Sequence, residues 1–264
     1  LEEYLADLKK ALTTDHPRYK TLGTKVNDEY IQLNTAIIQI ENEYYSSIRP
    51  KRLVGSGERP INALRDNGIE YVEIRALDNN IYDPFGISDE TAIFLESFLF
   101  YCLLSEDQPC EADEINKIQN NWGKVVLFGR DEDLKLQFKE GSIPLRDKAA
   151  EILDEMTNFE SRIGDQEYRN IFKKSLESQR HKISDSNMTP SGKLLREITA
   201  SGLSWDEYTD QIAKNHKEEI LRLKKDVGYL EKQAKKSLEE FALKEAQEED
   251  DFDSFLGEYL SAIE

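Results

Sequence analysis

Two peptides hold most of the residues whose types and spacing could do chemistry: Glu41-Asn-Glu-Tyr-Tyr-Ser-Ser-Ile-Arg-Pro-Lys-Arg52 and Gly68-Ile-Glu-Tyr-Val-Glu-Ile-Arg-Ala-Leu-Asp78. Side chains on a strand alternate between faces, so in the second peptide Ile69, Tyr71, Glu73 and Arg75 share one face and Glu70, Val72, Ile74 and Ala76 the other. Val72, Ile74 and Ala76 are apolar enough to rest on a core, which predicts a sheet with one buried and one working side. Glu73 and Arg75 then project together. A carboxylate and a guanidinium two residues apart can serve one anionic ligand, the first through a divalent metal and the second by direct bidentate contact. Spacing alone also fits a cross-strand ion pair, a common and weakly stabilising surface feature.

The first peptide reads as extended, because Glu41, Glu43 and Tyr45 share a parity and Pro50 argues against a helix through it. Its basic end, Arg49, Lys51 and Arg52, precedes Gly55-Ser-Gly57, an arrangement that suits either a bound anion or a solvated strand end. It is not a Walker motif, which needs a fixed Gly, Lys and Ser/Thr order ahead of a helix.

Taken together, Gln39–Arg52 and Gly68–Asp78 resemble the glutamate–cysteine ligases of bacterial type in order and spacing. The likeness continues more weakly through Asn121-Trp122, Gly129-Arg130 and Thr189-Pro-Ser191, and so covers most of the chain. The resemblance implies an ATP-dependent ligation that begins glutathione biosynthesis. The γ-carboxylate of glutamate is phosphorylated, and the cysteine amine displaces phosphate to give γ-glutamylcysteine. Such a reaction depends on Mg²⁺ and arginine to relieve charge repulsion at the phosphoryl group. By the same resemblance Glu73 is a magnesium ligand, Arg75 holds the transferred phosphoryl group of ATP, and Tyr45 contacts cysteine. Arg49, Lys51 and Arg52 match a substrate-binding motif, with Glu41 and Glu43 as supporting carboxylates.

The opening Leu1-Glu-Glu-Tyr-Leu-Ala-Asp-Leu resembles a segment from the middle of such ligases. The chain therefore reads as the carboxy-terminal part of one catalytic domain. Residues 1–145 are expected to bear the sheet and 146–264 to be mainly helical, in an α+β, glutamine-synthetase-like antiparallel fold. Family members keep further metal-binding carboxylates in the preceding half, and one Glu cannot fill a magnesium site of about six oxygens. An amino-terminal half is thus an expected partner. Two other readings stay open: a half-enzyme that works only with a separately encoded partner, and an acidic helical interaction protein that has lost catalysis.

The elements that must position these residues follow from periodicity. Leu1, Leu5, Leu8 and Leu12 make a helical stripe, followed by a loop around Pro17 and Gly23. A short helix, Pro60–Arg65, separates the two strand candidates. Asp83-Pro-Phe-Gly86 is turn chemistry, and Ser88 can start a helix over Asp89–Leu104 that is apolar almost all round and should be buried. A helix over Glu111–Asn121 leads to Val125-Val-Leu-Phe128, which could extend it or turn to strand. Leu134, Leu136 and Phe138 alternate as in a strand. Helices are expected over Asp147–Phe159, Gln166–Ser178, Ser191–Ala200 and Trp205 to about Ala246, the last covering the catalytic sheet. The acidic run Glu248–Asp251 reads as a solvated tail, and the stripe Phe252, Phe255, Leu256, Tyr259 and Leu260 as a helix that docks back.

Thirty-five basic against fifty-three acidic residues leave a charge of −18, which disfavours nucleic acid and anionic membranes as partners. No apolar run approaches the roughly 20 residues of a membrane span, and no basic-then-apolar leader opens the chain. Two cysteines are too few for a disulfide framework, so a cytoplasmic location is expected. Cys102 reads as core, and Cys110, after Pro109, as loop. His16, His181 and His216 lie far apart among polar residues and read as surface.

Overall fold

Leucines repeating at helical spacing do form the first helix. In the computed structural model, which describes residues 1–55, 57–106, 110–223, 227–246 and 251–263, α1 (Glu2–Thr13) buries Leu8 and Leu12. These two meet Ile61, with Tyr4, Leu5 and Ile38 packed around them. The expected loop at Pro17 is instead a short helix, α2 (Pro17–Leu22). Proline at the first helical position lacks only an N–H that would be unpaired anyway. Next, β1 (Lys25–Val26) and β2 (Glu29–Tyr30) form a tight hairpin. Its two turn residues, Asn27 and Asp28, take φ of 52° and 65°, as a two-residue hairpin turn requires.

β3 (Ile48–Lys51), α3 (Pro60–Asn67) and β4 (Tyr71–Ile74) follow. β3 and β4 pair antiparallel with Arg49 opposite Glu73 and Lys51 opposite Tyr71. Residues Leu1–Asp78 and Asp226–Glu264 make up one compact unit of the chain, and Asn79–Lys225 the other.

The second unit opens with α4 (Asp89–Leu104), where Thr91 N–H donates to Ser88 Oγ at 3.3 Å. α5 (Ala112–Phe128) runs on through Trp122 and Val125 to Phe128, so the Val-rich segment is helix and not strand. A hairpin of β5 (Lys135–Phe138) and β6 (Gly141–Pro144) leads into α6 (Leu145–Thr157), α7 (Gln166–Ser184), α8 (Pro190–Ser201) and α9 (Trp205–Arg222). The core of this unit is Leu153, Met156, Phe172 and Leu176, against which Phe94, Phe98 and Tyr101 of α4 pack. Contrary to expectation, α4 contains no fully buried residue, and Leu103 is 76% exposed. A helix apolar all round needs cover on every side, and the core packs against only one face of it. Cys102, expected in the core, is likewise exposed.

Back in the first unit stand α10 (Gly228–Glu245) and α11 (Phe252–Ser261). The single helix expected over Trp205–Ala246 is therefore two. Backbone at Leu223 leaves the helical region, at φ −70° and ψ 86°. α10 buries no residue, so it does not serve as the expected cover for a sheet. α11 does dock back: Leu256 is buried, Phe252 meets the Tyr30 ring at 5.1 Å, and Asn62 Nδ2 donates to the Ala262 carbonyl at 2.6 Å. Of the acidic run, residues 248–250 lie outside the described ones, as do Ser56 of the glycine loop and Pro109; Asp251 caps α11 by accepting from Ser254 N–H at 3.1 Å.

The result is α+β, as expected, but the strands among the described residues pair as three two-stranded antiparallel ribbons and not as one continuous sheet. All of them precede α6. His16 and His216 are half-buried and not on the open surface, with His216 Nε2 at 2.8 Å from the Ile81 carbonyl. No described helix is long and apolar enough to cross a membrane.

Candidate active site

The register of β3 against β4 sets the site. Alternation puts Arg49 and Lys51 on the same face as Tyr71 and Glu73. Arg75, one residue past β4, continues that face, held by its N–H donating to the Ser47 carbonyl at 2.8 Å. Its guanidinium reaches back along the strand: Nη2 donates to Glu73 Oε1 at 3.2 Å and Nε stands 3.1 Å from Oε2. The same guanidinium lies over the Tyr45 ring, 4.8 Å from its centroid. Tyr45, Glu73 and Arg75 are therefore together, although Tyr45 comes from a loop 28 residues earlier in the chain than Glu73.

The ion pair anticipated from spacing exists, but along one strand and not across two. Both its side chains are about one-third exposed, at 33% and 32%, so solvent or a ligand reaches them. A pair this exposed contributes too little to stability to be its own reason for being there. The hydrogen bond from Arg75 is the main cause holding the Glu73 carboxyl below the ordinary range, with the charges of Lys51 and Arg49 adding to it. Glu73 is accordingly ionised at neutral pH. Its Oε2 is buried yet accepts no hydrogen bond of good geometry, even with Arg75 Nε close by.

Such an oxygen fits one ligand position of a magnesium ion. Among the described residues, however, no group of three or more His, Cys, Asp or Glu side chains is placed to hold a metal. The donor set here matches one corner of a six-oxygen site and not the whole.

Arg49 is buried, donating from Nη2 to the Glu41 carbonyl at 3.0 Å while its Nε has no partner. Arg52 turns away from the face. Its Nη1 donates to the Asn67 carbonyl at 2.6 Å and to Gly68 at 3.2 Å, placing a cation at the negative end of α3. Lys51 makes no ion pair among the described residues. A hollow of about 250 Å³ adjoins β3, lined by Tyr4, Glu41, Arg49, Lys51, Arg52 and Tyr71. It suits a small anion.

Glu41 and Glu43 are not extended: they form a 3₁₀ turn, so the parity reading does not apply to them. Glu41 is instead buried and clamped by Arg59, whose Nε and Nη2 donate to its two oxygens at 3.1 and 2.9 Å. Glu43 accepts from Gln39 N–H at 2.7 Å and stabilises the loop. Arg59 escaped the sequence reading, and its only signal is a cation directly ahead of a helix-starting proline. Nor does the apolar face of the ribbon rest on a core, since Ile48 is 46% and Val72 40% exposed.

The glutamate–cysteine ligase family matches over residues 1–125. The glutamate–cysteine ligase of Pseudomonas fluorescens is 36% identical over 266 residues, all of this chain and 50% of that protein. That of Pseudomonas savastanoi pv. phaseolicola is 38% identical over 269 residues, again all of this chain and 50% of the relative. The crystal structure of the Francisella tularensis glutamate–cysteine ligase in complex with AMP superposes with a TM-score of 0.88 at 32% identity, covering 99% of this chain and 52% of that one. A bifunctional glutathione synthetase from Pasteurella multocida, 21% identical with a TM-score of 0.50, shares the fold alone. The chain spans about half the length of the curated relatives it matches.

Proposed function

The chain is a relative of the glutamate–cysteine ligases, and on that premise we propose that it supplies the phosphoryl-handling face of such an enzyme, joining the γ-carboxylate of glutamate to the amine of cysteine at the expense of ATP. The observation that carries this reading is the gathering of Arg49, Lys51, Glu73 and Arg75 on one face of a two-stranded ribbon, with Tyr45 against Arg75. Attack of a carboxylate on ATP brings like charges together, so the step needs cations at the phosphoryl oxygens more than it needs a nucleophile from the protein. Arg75 sits at the exposed end of the face and would hold the transferred phosphoryl group. Lys51 and Arg49 would draw the anionic substrates into the adjoining hollow, while Arg52 fixes the strand end that carries them. The Tyr45 ring, 77% exposed, offers a surface for the cysteine side chain. Glu73 would be one oxygen ligand of a bound magnesium ion, which when present neutralises phosphate charge.

One carboxylate does not complete a metal site, and the relatives are about twice as long. The activity is therefore assigned to an assembly in which an amino-terminal half provides the remaining ligands. The test is mass-spectrometric detection of γ-glutamylcysteine after incubation with glutamate, cysteine, ATP and Mg²⁺, with and without that half. Product only on complementation is the expected result. Product from this chain alone would overturn the need for a second half, and product in neither mixture would overturn the ligase reading.

A further inference from the structure

In the second unit, α4, α6 and α7 line an open hollow of about 350 Å³ whose walls include Phe94, Phe98, Ala149, Ile152 and Ile183. The rim has a different character. Gln179 and Lys182 stand nearly one turn apart on α7, and Arg146 lies at the start of α6. Lys182 Nζ donates to Gln179 Oε1 at 3.2 Å, and because an ammonium can only donate, this bond fixes the amide's orientation. It leaves Gln179 Nε2 as a buried donor with no acceptor. Glu90 is the charge felt by Lys182, from beyond ion-pair distance, and burial holds the ammonium below the ordinary lysine range. In a chain of net charge −18, a half-buried ammonium with no ion pair among the described residues, beside an amide whose Nε2 has no acceptor, is a desolvation cost that a bound acceptor would offset.

We propose that this hollow binds a small amphipathic carboxylate, its apolar body between Phe94, Phe98 and Ile152 and its carboxylate accepting from Lys182 Nζ and Gln179 Nε2. Arg146 adds field and not a direct donor, since its Nη1 and Nη2 already serve the Ser184 carbonyl at 3.3 Å and Glu132 at 3.0 Å. The same chemistry excludes free amino acids: an α-ammonium would meet either an apolar wall or a like charge. The apolar wall of Phe94, Phe98 and Ile152 likewise offers a nucleotide's polar base little to hydrogen-bond. An aryl- or alkyl-carboxylic acid is what remains, and a cavity of this size is at the lower end of those that take small ligands.

The experiment titrates the whole 264-residue chain with 4-phenylbutyrate, using calorimetry and the carboxyl ¹³C resonance, alongside the uncharged 4-phenylbutan-1-ol. Lys182→Met and the alcohol are each expected to weaken binding about tenfold or more, the loss of one charge-assisted hydrogen bond. Ala149→Leu, which fills the wall, should abolish binding while leaving the circular dichroism unchanged. Should Lys182→Met fail to fold, Gln179→Leu tests the same rim. Absence of saturable binding at millimolar ligand would overturn the proposal. So would binding that the rim variants and the alcohol leave within about twofold of wild type.

Discussion

At the scale of single residues, two kinds of charge pair need separating. Glu73 and Arg75 are partly exposed and hold each other in shape at the candidate site; Glu41 and Arg59 are buried and hold the loop that presents it. Removing one member of the buried pair leaves an uncompensated charge, so Arg59→Met should cost about 3–5 kcal/mol by urea denaturation. The double variant Arg59→Met with Glu41→Leu should recover most of that loss. A single-variant cost near zero would mean that solvent reaches the pair. The exposed residues predict effects on turnover and not on stability. In the complemented enzyme, Glu73→Gln should lower kcat and raise the magnesium needed for half-maximal rate, with the urea midpoint unmoved. Tyr45→Phe should act chiefly on the KM for cysteine, and an effect confined to ATP would remove Tyr45 from that role. Glu73 and Arg75 were legible because strand alternation is local. The Glu41–Arg59 clamp was not, because it joins residues 18 apart through a 3₁₀ turn that no periodicity announces.

At the scale of elements, two of the three weaker peptides of the resemblance, Gly129-Arg130 and Thr189-Pro-Ser191, lie close to one another in the fold. Arg130 Nη2 donates to Asn187 Oδ1 at 3.0 Å, and a Cβ on Gly192 would lie 2.7 Å from Arg130 Nη1. Arg130, just past the end of α5, thus reaches the residues on either side of Thr189-Pro-Ser191 at the start of α8. A second junction ties the loop after Ile81 to α8 and α9, where Glu197 accepts from Tyr82 Oη at 2.6 Å and from Tyr208 Oη at 2.7 Å. Those two bonds hold the Glu197 carboxyl below its ordinary value, the Tyr82 bond being the larger cause. A carboxyl depressed in the folded state binds fewer protons there than when unfolded. Its contribution is complete above an unfolded value of about 4.3 and is lost as pH falls through the lower folded value. The difference in urea midpoint between wild type and Glu197→Gln should therefore be flat from neutrality to mild acid and shrink below it. A difference that persists unchanged into strong acid would show that the carboxylate charge is not what matters. None of this junction was visible in the sequence, since tyrosine–carboxylate bonds across 115 residues leave no pattern.

For the whole molecule, the informative mismatch is between charge and apolar exposure. A net charge of −18 suits a chain that stays in water, yet Leu127 and Val126 of α5 are 74% and 67% exposed, and the apolar side of the β3–β4 ribbon lies open. Isolated exposed leucines are ordinary, but an uncovered sheet face and a helix apolar all round are surfaces that fold against something. The sequence announced these faces through periodicity and could not say what meets them, because burial is a property of the partner surface. The chain spans about half the length of the relatives it matches, and under the proposed function the amino-terminal half of the assembly is the cover to test. The isolated chain should accordingly enhance the fluorescence of the apolar dye ANS strongly. Titrating in the amino-terminal half should quench that signal in step with the appearance of γ-glutamylcysteine. Simultaneous loss of dye binding and gain of product would tie cover and catalysis to one assembly event. Dye binding that survives the onset of turnover would mean that these faces serve something other than the ligase, and that the ribbon's working side is completed without its apolar side being closed.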